Sequence, residues 1–196
     1  MFVYLFLINP KPTTTKMKTL FSRIPLYVTL VAVLAIGCKD LANVSLSPNF
    51  TIDFTVNEPT ETHFLKDQVL DGDSVSSELN KYRNNIKSVE VTKVTYFLPY
   101  FTGGAGQTLQ SGEVKVINPT TNAEMVLATL TNVNLASVAA KETDLTTDKA
   151  AVNMLADLLK NDPHKVKVRL SGVVNEAPIN LIARLTVYTK VTASPL

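Results

Sequence analysis

The sequence is poor in the residues that most often build catalytic sites and disulfide frameworks. It has one cysteine, two histidines and no tryptophan among 196 residues. A single cysteine excludes an internal disulfide, so the folded chain must rely on its apolar core. His63 and His164 are too few for a tight zinc site, and neither accompanies a G-x-S-x-G turn or another nucleophile motif. We therefore expect no catalytic residue, no metal and no cofactor.

Long apolar runs are also scarce, and the two that stand out lie near the N-terminus. Residues 2–8 and 24–37 are apolar, and Met17, Lys18 and Arg23 precede the second run. A basic start, a short apolar middle and small residues before a break are the parts of a secretory signal peptide. The second run spans 14 residues, which is short of the roughly 17–25 that a membrane-crossing helix needs. We predict a signal peptide over residues 1–37, with translation starting at Met17.

The only cysteine directly follows this run, in the stretch Leu34-Ala35-Ile36-Gly37-Cys38. This stretch resembles the lipobox of bacterial lipoproteins, in which a diacylglyceryl group is attached to the cysteine thiol and the peptidase then cuts just before it. The resemblance implies cleavage between Gly37 and Cys38 and a lipid such as palmitate on Cys38. It also implies a Gram-negative cell envelope, with the chain attached by its lipid to the outer membrane and facing the periplasm or the outside.

Charge of one sign does not dominate the part that would remain after cleavage. The whole chain has a formal net charge of +2, with 19 Lys and Arg against 17 Asp and Glu. Lys11, Lys16, Lys18 and Arg23 precede Cys38 and no acidic residue does, which leaves 15 basic and 17 acidic residues and a net charge of −2. This balance does not favour a nucleic-acid partner. Residues 38–49 are polar and predict a tether, and residues 50–196 predict one domain.

Period-two alternation of apolar and polar residues recurs along this domain and predicts β-strands. The strands are expected over residues 50–56, 62–70, 87–101, 108–118, 124–135, 164–172 and 178–191. In the longest of them Val91 and Val94 fall on opposite parities, so we predict either a bulge near Thr92 and Lys93 or a strand that passes from one sheet to the other. Helical spacing predicts two short helices. One covers residues 74–86 with Asp73 or Ser74 as its cap, and the other covers 147–161 with Thr147 as its cap.

These elements together predict an all-β fold, a two-layer antiparallel β-sandwich of about seven strands in an immunoglobulin-like arrangement, with the two helices in connections. A parallel α/β fold would need a helix between most strands, and only two connections are long enough. In layout, a lipobox followed by one β-rich domain, the chain resembles the small lipoproteins of bacteroidete-type bacteria. That resemblance carries no functional residue to this chain.

The richest candidate binding patch is the stretch "YFLPYFTGGAG", residues 96–106. On a regular strand Phe97 and Phe101 point to one side, and Tyr96, Leu98 and Tyr100 to the other. Phe97, Tyr100 and Phe101 beside a glycine-rich loop would form an apolar patch, and such patches mark contact sites. Their rings could stack on a sugar or anchor a protein partner. The alternative is that one of the helices covers the second side.

Other polar clusters have simpler explanations. Glu61 and His63 share a strand face as two metal ligands would, but a solvated strand edge explains them better. The acids of "DGDS", residues 71–74, superficially resemble a calcium loop and are better explained by a turn and a helix cap. Asp73-Ser74-Val75 resembles the short Asp-Ser/Thr-apolar acceptor motif for O-glycans. His164 follows Pro163 at a helix-to-strand junction, where we expect a solvated side chain.

The sequence therefore predicts a lipid-anchored envelope protein that acts as a non-enzymatic binding module for a protein or glycan. Two alternatives stay open. One is a subunit of a surface assembly whose sheet edge is completed by a neighbour's strand. The other is a carboxylate-dependent hydrolase, which would need two convergent Asp or Glu side chains with oppositely shifted pKa values.

Overall fold

A computed structural model describes residues 43–75, 77–139 and 141–196. The predicted signal peptide, the lipobox and Cys38 lie outside the described residues and stay predictions. Within the described ranges no helix is long and apolar enough to cross a membrane.

Nine strands and four short helices make up this part of the chain. The strands are β1 (Val44–Leu46), β2 (Asn49–Glu58), β3 (His63–Asp71), β4 (Ile86–Phe101), β5 (Thr108–Ile117), β6 (Glu124–Asn134), β7 (Thr143–Asp144), β8 (Lys165–Val174) and β9 (Ile179–Ala193). The helices are α1 (Gly72–Val75), α2 (Ser77–Tyr82), α3 (Leu135–Val138) and α4 (Lys149–Lys160), and a 3₁₀ turn spans Arg83–Asn85. Strand β1 falls inside the segment that was predicted as a tether.

The strands form two antiparallel sheets that pack face to face, so the predicted two-layer β-sandwich is confirmed. Sheet A has the order β2-β9-β4-β7, with β1 pairing farther along the same edge of β9. Sheet B has the order β3-β8-β5-β6. This is the eight-stranded double Greek key of a jelly roll. The strand order corrects the expected immunoglobulin-like arrangement of about seven strands, because β8 and β9, the last two strands, each lie between other strands of their sheet.

The alternation that predicted the strands is also what builds the core. On β2 the apolar side chains are buried and the polar ones between them are exposed, and on β8 buried apolar side chains alternate with half-buried polar ones. Because successive side chains of a strand point to opposite faces, each sheet presents one apolar face to the other sheet. The largest fully buried side chains are Phe50, Phe54, Leu127, Leu155 and Ile179.

The pairing of strand β4 with β9 has three register shifts, and the first lies between Ile86 and Ser88. The second lies between Val91 and Lys93, which confirms the predicted bulge. The third lies between Phe97 and Tyr100 and was not predicted. Pro99 sits inside it and has no N–H to donate to the ladder, which gives the physical reason for the break.

The helices differ from the predictions in their bounds and caps. The helix expected over residues 74–86 is broken into α1, α2 and the 3₁₀ turn. At its start Asp71, rather than Asp73 or Ser74, accepts the Asp73 backbone N–H at 3.1 Å. Helix α4 forms where it was expected. Its cap is Asp148 rather than Thr147, because the Asp148 carboxylate accepts the backbone N–H groups of the first helical turn at 2.9 and 3.0 Å.

The sandwich has two ends. At the Val44 end β1 and β4 begin and β9 finishes, since Val44 and Ile86 both pair with Ala193. At the Glu58 end β2 finishes and β9 begins, since Glu58 pairs with Ile179. Strand β3 starts at the Glu58 end and runs back toward the Val44 end.

Candidate functional site

The aromatic residues predicted as one patch do not share a face. Because the bulge at Pro99 shifts the register by one residue, Tyr100 points outward opposite Ile182 and is 45% exposed. Phe101 pairs with the buried Leu181 and packs against the core. The expectation that Phe97 and Phe101 point to the same side is therefore wrong.

Phe97 does lie on the outer face of sheet A, but a cation covers its ring. The guanidinium carbon of Arg184 is 5.5 Å from the Phe97 ring centroid. Arg184 also donates two hydrogen bonds of 2.7 Å to the Asp53 carboxylate on the next strand. These hydrogen bonds lower the pKa of Asp53 and raise that of Arg184. The ring face that was expected to stack on a ligand is thus occupied by the protein itself.

A second network closes the neighbouring part of the same face. The Glu142 carboxylate accepts hydrogen bonds from the hydroxyls of Thr95 and Tyr188, and these bonds lower its pKa. Lys93 lies 5.5 Å from the Tyr188 ring centroid and pairs with Asp144 at 2.9 Å. Most of the charged and aromatic side chains on the outer face of sheet A therefore contact one another, whereas the Tyr100 side chain on this face is exposed.

The two histidines occupy different environments. His63 is solvated, with its Nδ1 atom 3.4 Å from Glu61 and its side chain 71% exposed. His164 is buried, with only 5% of its surface exposed, so the expectation of a solvated His164 is wrong. Its Nδ1 atom lies 3.0 Å from the Leu159 carbonyl near the end of α4, and its φ of 57° lets the chain turn sharply into β8. Among the described residues no three potential ligands come together to hold a metal ion.

The acids of "DGDS" pair with basic residues from other elements. Asp71 pairs with Lys165 at 3.2 Å, and Asp73 pairs with Arg83 at 3.2 Å. The Ser74 hydroxyl donates to the Asp71 carbonyl at 2.9 Å, and Ser74 is exposed. Because these carboxylates already neutralise cations, the turn-and-cap interpretation explains them.

The half of the outer face of sheet B nearer the Val44 end carries an ion-pair network. Arg169 donates to both oxygens of Asp67 at 2.7 and 3.0 Å, and Lys167 reaches Asp67 at 2.7 Å. The Arg169 hydrogen bonds, with help from Lys167, lower the pKa of Asp67 to about 2. Lys115 and Arg169 both contact Glu124. The basic residues Lys167 and Arg169 of β8 are thus balanced by Asp67 on β3 and Glu124 on β6.

The other half of this face is a depression of about 540 Å³ nearer the Glu58 end. We call it the hydroxyl trough, and its central lining residues are Leu65, Ser111, Thr129, Thr131, Ser171 and Val173. Strands β8 and β5 form its floor, and the edge strands β3 and β6 form its walls. A volume of this size falls within the roughly 300–1,000 Å³ of small-molecule sites.

A glycine pair lies directly beneath the trough. Gly112 and Gly172 are in register on β5 and β8, with their missing side chains on the core side. A Cβ atom at Gly172 would come within 2.7 Å of Phe64 and Leu109, and one at Gly112 within 2.8 Å of Leu109. With no side chain there, the two central strands can approach the core more closely than the strands beside them.

Two other spaces are present. A groove of about 600 Å³ runs between α4 and the β5–β6 turn, with Met125, Met154 and Leu158 among its lining and amide or acidic groups around them. An interior cavity of about 50 Å³ lies between the sheets and is lined almost entirely by apolar groups.

Sequence reasoning missed the hydroxyl trough because no motif marks it. The available signal was weak: hydroxyl residues occupy outward positions on β5, β6 and β8, and a glycine lies beside Ser111 and Ser171. These positions become neighbours only through the order β3-β8-β5-β6, which no single strand pattern reveals.

Within the part of the chain that the structure describes, four carboxyl groups have a pKa that departs from the ordinary value, and all four are shifted downward. They are Asp53, Asp67, Glu124 and Glu142, and each shift is dominated by a hydrogen bond from Arg184, Arg169, Lys115 and Thr95 respectively. A carboxylate acid–base pair needs one member shifted upward. These four groups therefore serve as structural ion-pair or hydrogen-bond partners.

The strand order and the surfaces define the class of protein as a jelly-roll β-sandwich with an open depression on the outer face of one sheet. No family model and no curated protein matches the chain. Solved structures that are similar to it include a protein of Desmodium yellow mottle tymovirus, with 12% identity, 100% of this chain and 95% of that chain covered, and a TM-score of 0.37. A protein of turnip yellow mosaic virus has 8% identity, coverage of 79% and 96%, and a TM-score of 0.39. The BFDV capsid protein has 14% identity, coverage of 76% and 99%, and a TM-score of 0.37. At these scores nothing about this chain is inferred from the likeness.

Proposed function

We propose that the protein is a lipid-anchored binding module of a Gram-negative cell envelope. Cys38 carries the lipid, and the sandwich binds a ligand without catalysing a reaction. The observation that carries the proposal is the short separation in sequence between the lipobox, which ends at Cys38, and the folded domain, whose first strand starts at Val44. Six residues of fully extended chain span only about 20 Å. A lipid on Cys38 would therefore hold the Val44 end of the sandwich close to the bilayer.

The binding surface in this proposal is the hydroxyl trough. The outer face of sheet A and the other half of sheet B are closed by their own ion pairs and cation–ring contacts. The trough lies toward the Glu58 end, and β3 runs nine residues from His63 to Asp71, about 25 Å at the rise of a β-strand. An anchor at the Val44 end would leave the trough on the half of the sandwich that lies farther from the membrane surface.

Labelled palmitate tests the anchor. Cells expressing the full chain should incorporate the label into the wild-type protein and not into Cys38→Ser, because the serine hydroxyl cannot accept the thioether-linked lipid. Gly37→Ala is the matched control: it keeps a small residue before the cut and should stay labelled. A wild-type chain without label, or a mature N-terminus other than Cys38 by intact mass, would contradict the proposal.

A second candidate function, a subunit completed by strand addition, has one supporting observation. Strand β6 is an edge strand, and residues 125–134 contain no charge and no proline. Such an edge is an acceptor for a partner's strand. The open part of the edge is short, because Leu127 accepts the Asp148 N–H and Asn132 has a φ of 54°. A monomeric mass by light scattering would count against this candidate, and a stable oligomer would favour it.

A further inference from the structure

Four hydroxyls without a partner among the described residues are grouped in the trough. The side-chain oxygens of Ser111, Ser171, Thr129 and Thr131 make no hydrogen bond with any described residue. Other exposed hydroxyls of the described chain, such as those of Thr51 and Thr55, also have no protein partner but lie on the outer face of edge strand β2 rather than in a depression. The trough therefore concentrates free donors and acceptors on one concave surface, each available to a polar ligand.

Apolar side chains stand directly beside these hydroxyls. Leu65 is 57% exposed and Val173 is 38% exposed, and Leu65 pairs across the ladder with Ser171. A ligand that fills the trough would have to offer hydroxyl groups and apolar C–H surface within a few ångströms of each other. Sugar rings have this composition, because their hydroxyls project from a ring whose faces carry C–H groups.

The charge of the trough favours a neutral ligand. Its acid, Glu113, lies 3.5 Å from Lys115, and its histidine, His63, lies beside Glu61. The nearby cations Arg169 and Lys167 are bound to Asp67. No cation within the described trough lining is free to pair with a phosphate, sulfate or carboxylate, so an anionic polymer would gain nothing there.

We infer that the hydroxyl trough binds a neutral saccharide, with its hydroxyls lying on Ser111, Ser171, Thr129 and Thr131 and a ring face packing on Leu65 and Val173. This names the ligand class of the binding role proposed above and rests on that role. It does not depend on the lipid, so the two can fail separately.

The experiment titrates the full chain, purified in detergent, with three neutral glucan hexasaccharides, namely maltohexaose, cellohexaose and laminarihexaose. Calorimetry gives the affinity, and amide chemical shifts locate the contact. We expect at least one hexasaccharide to bind at millimolar or lower concentrations and to shift the amides of Ser111 and Ser171. An oligogalacturonate of equal length should bind more weakly.

Paired variants separate the trough from a general surface effect. Thr129→Ala with Thr131→Ala removes two trough hydroxyls on an edge strand, and affinity should fall about tenfold. Thr51→Ala with Thr55→Ala is the matched control, because it removes two exposed hydroxyls from edge strand β2 on the opposite sheet. Ser171→Tyr fills the floor and should abolish binding while the melting temperature confirms that the domain is folded.

The inference is overturned if none of the three hexasaccharides binds, if the anionic oligomer binds as well as they do, or if both threonine pairs weaken binding equally. Loss of saccharide binding with palmitate labelling intact would remove this ligand class and leave the anchor standing. Saccharide binding by a chain that incorporates no palmitate would remove the anchor and leave the ligand class standing.

Discussion

Gln107 ties together two loops at the Glu58 end of the sandwich. Its side-chain amide donates to the carbonyls of Glu176 and Pro178 at 2.8 and 2.9 Å, and the residue is 1% exposed. Its Oε1 atom has no hydrogen-bond partner in the described structure and lies against Gly103. A buried oxygen without a partner costs free energy, so the two donated bonds have to outweigh that cost.

Gly103→Ala should destabilise the protein by about 1–3 kcal/mol, the usual cost of overpacking. The new Cβ would lie 1.7 Å from Gln107 Oε1 and 2.5 Å from the Phe101 ring, and Gln107 is held in place by its own hydrogen bonds. Urea denaturation measures the change in the free energy of unfolding. Gly106→Ala in the same loop is the control, because nothing lies within 4 Å of its Cβ and its φ is not positive. Equal effects of the two substitutions would contradict the packing argument.

At the scale of single elements, the ion pairs on sheet B hold β3 against β8. Asp67 accepts from Arg169 and Lys167, and its pKa lies at about 2 rather than the ordinary 3.8. A carboxyl group with a lowered folded-state pKa adds stability above its unfolded pKa and loses it as the pH falls through the folded value. Because the Asp67 side chain is 31% exposed, solvent screening limits the gain to at most about 1 kcal/mol.

The difference in unfolding free energy between wild type and Asp67→Asn should therefore be constant above about pH 5 and shrink as the pH falls through about 3.8 toward about 2. Urea denaturation at several pH values measures it. Glu90→Gln is the control, because it removes an exposed carboxylate that forms no ion pair within the described ranges. A pH-independent effect of Asp67→Asn would show that the ion pair contributes nothing.

The elements themselves were partly predictable. The alternation of apolar and polar residues identified β2, β5, β6, β8 and β9, because each of these strands has one apolar and one polar face. Predictions from this pattern and from helical spacing failed where a single residue changes the local structure. Pro99 reverses the faces of Tyr100 and Phe101, and Asp148 displaces Thr147 as the cap of α4.

The hydroxyl trough and the buried position of His164 were beyond sequence reasoning for a different reason. Both depend on segments far apart in the chain. His164 is covered because Gly72 and the end of α4 meet it, and the trough needs four strands in a particular order. Local periodicity carries no information about such pairings.

At the scale of the whole molecule, the two sheets do not fill the space between them. The interior cavity of about 50 Å³ is bordered by Phe54 and Ala183 of sheet A and Phe64 and Leu170 of sheet B. At about 24 cal/mol per Å³ a void of this size corresponds to about 1 kcal/mol of lost stability.

Ala183→Val should recover part of that loss and stabilise the protein by about 0.5–1 kcal/mol, because Ala183 points into the cavity and valine suits a strand. Differential scanning calorimetry should show a rise in melting temperature of about 2 °C. Ser45→Val makes a similar gain in strand preference at an exposed position of β1 and controls for it. A fall in melting temperature for Ala183→Val alone would show that the cavity walls cannot admit two methyl groups.

The placement of β8 and β9 inside the two sheets has a consequence for the order of events during synthesis. Until residues 165–193 emerge, β2 has no neighbour in its sheet and neither does β3, and the pairings within reach are the β5–β6 hairpin and the two-residue contact of β4 with β7. An isolated hairpin is marginal in water, and contacts between distant segments form slowly. A nascent chain would thus stay largely unfolded until it is almost complete and would close into its final form in one late step, which is the state that the export proposed above would require.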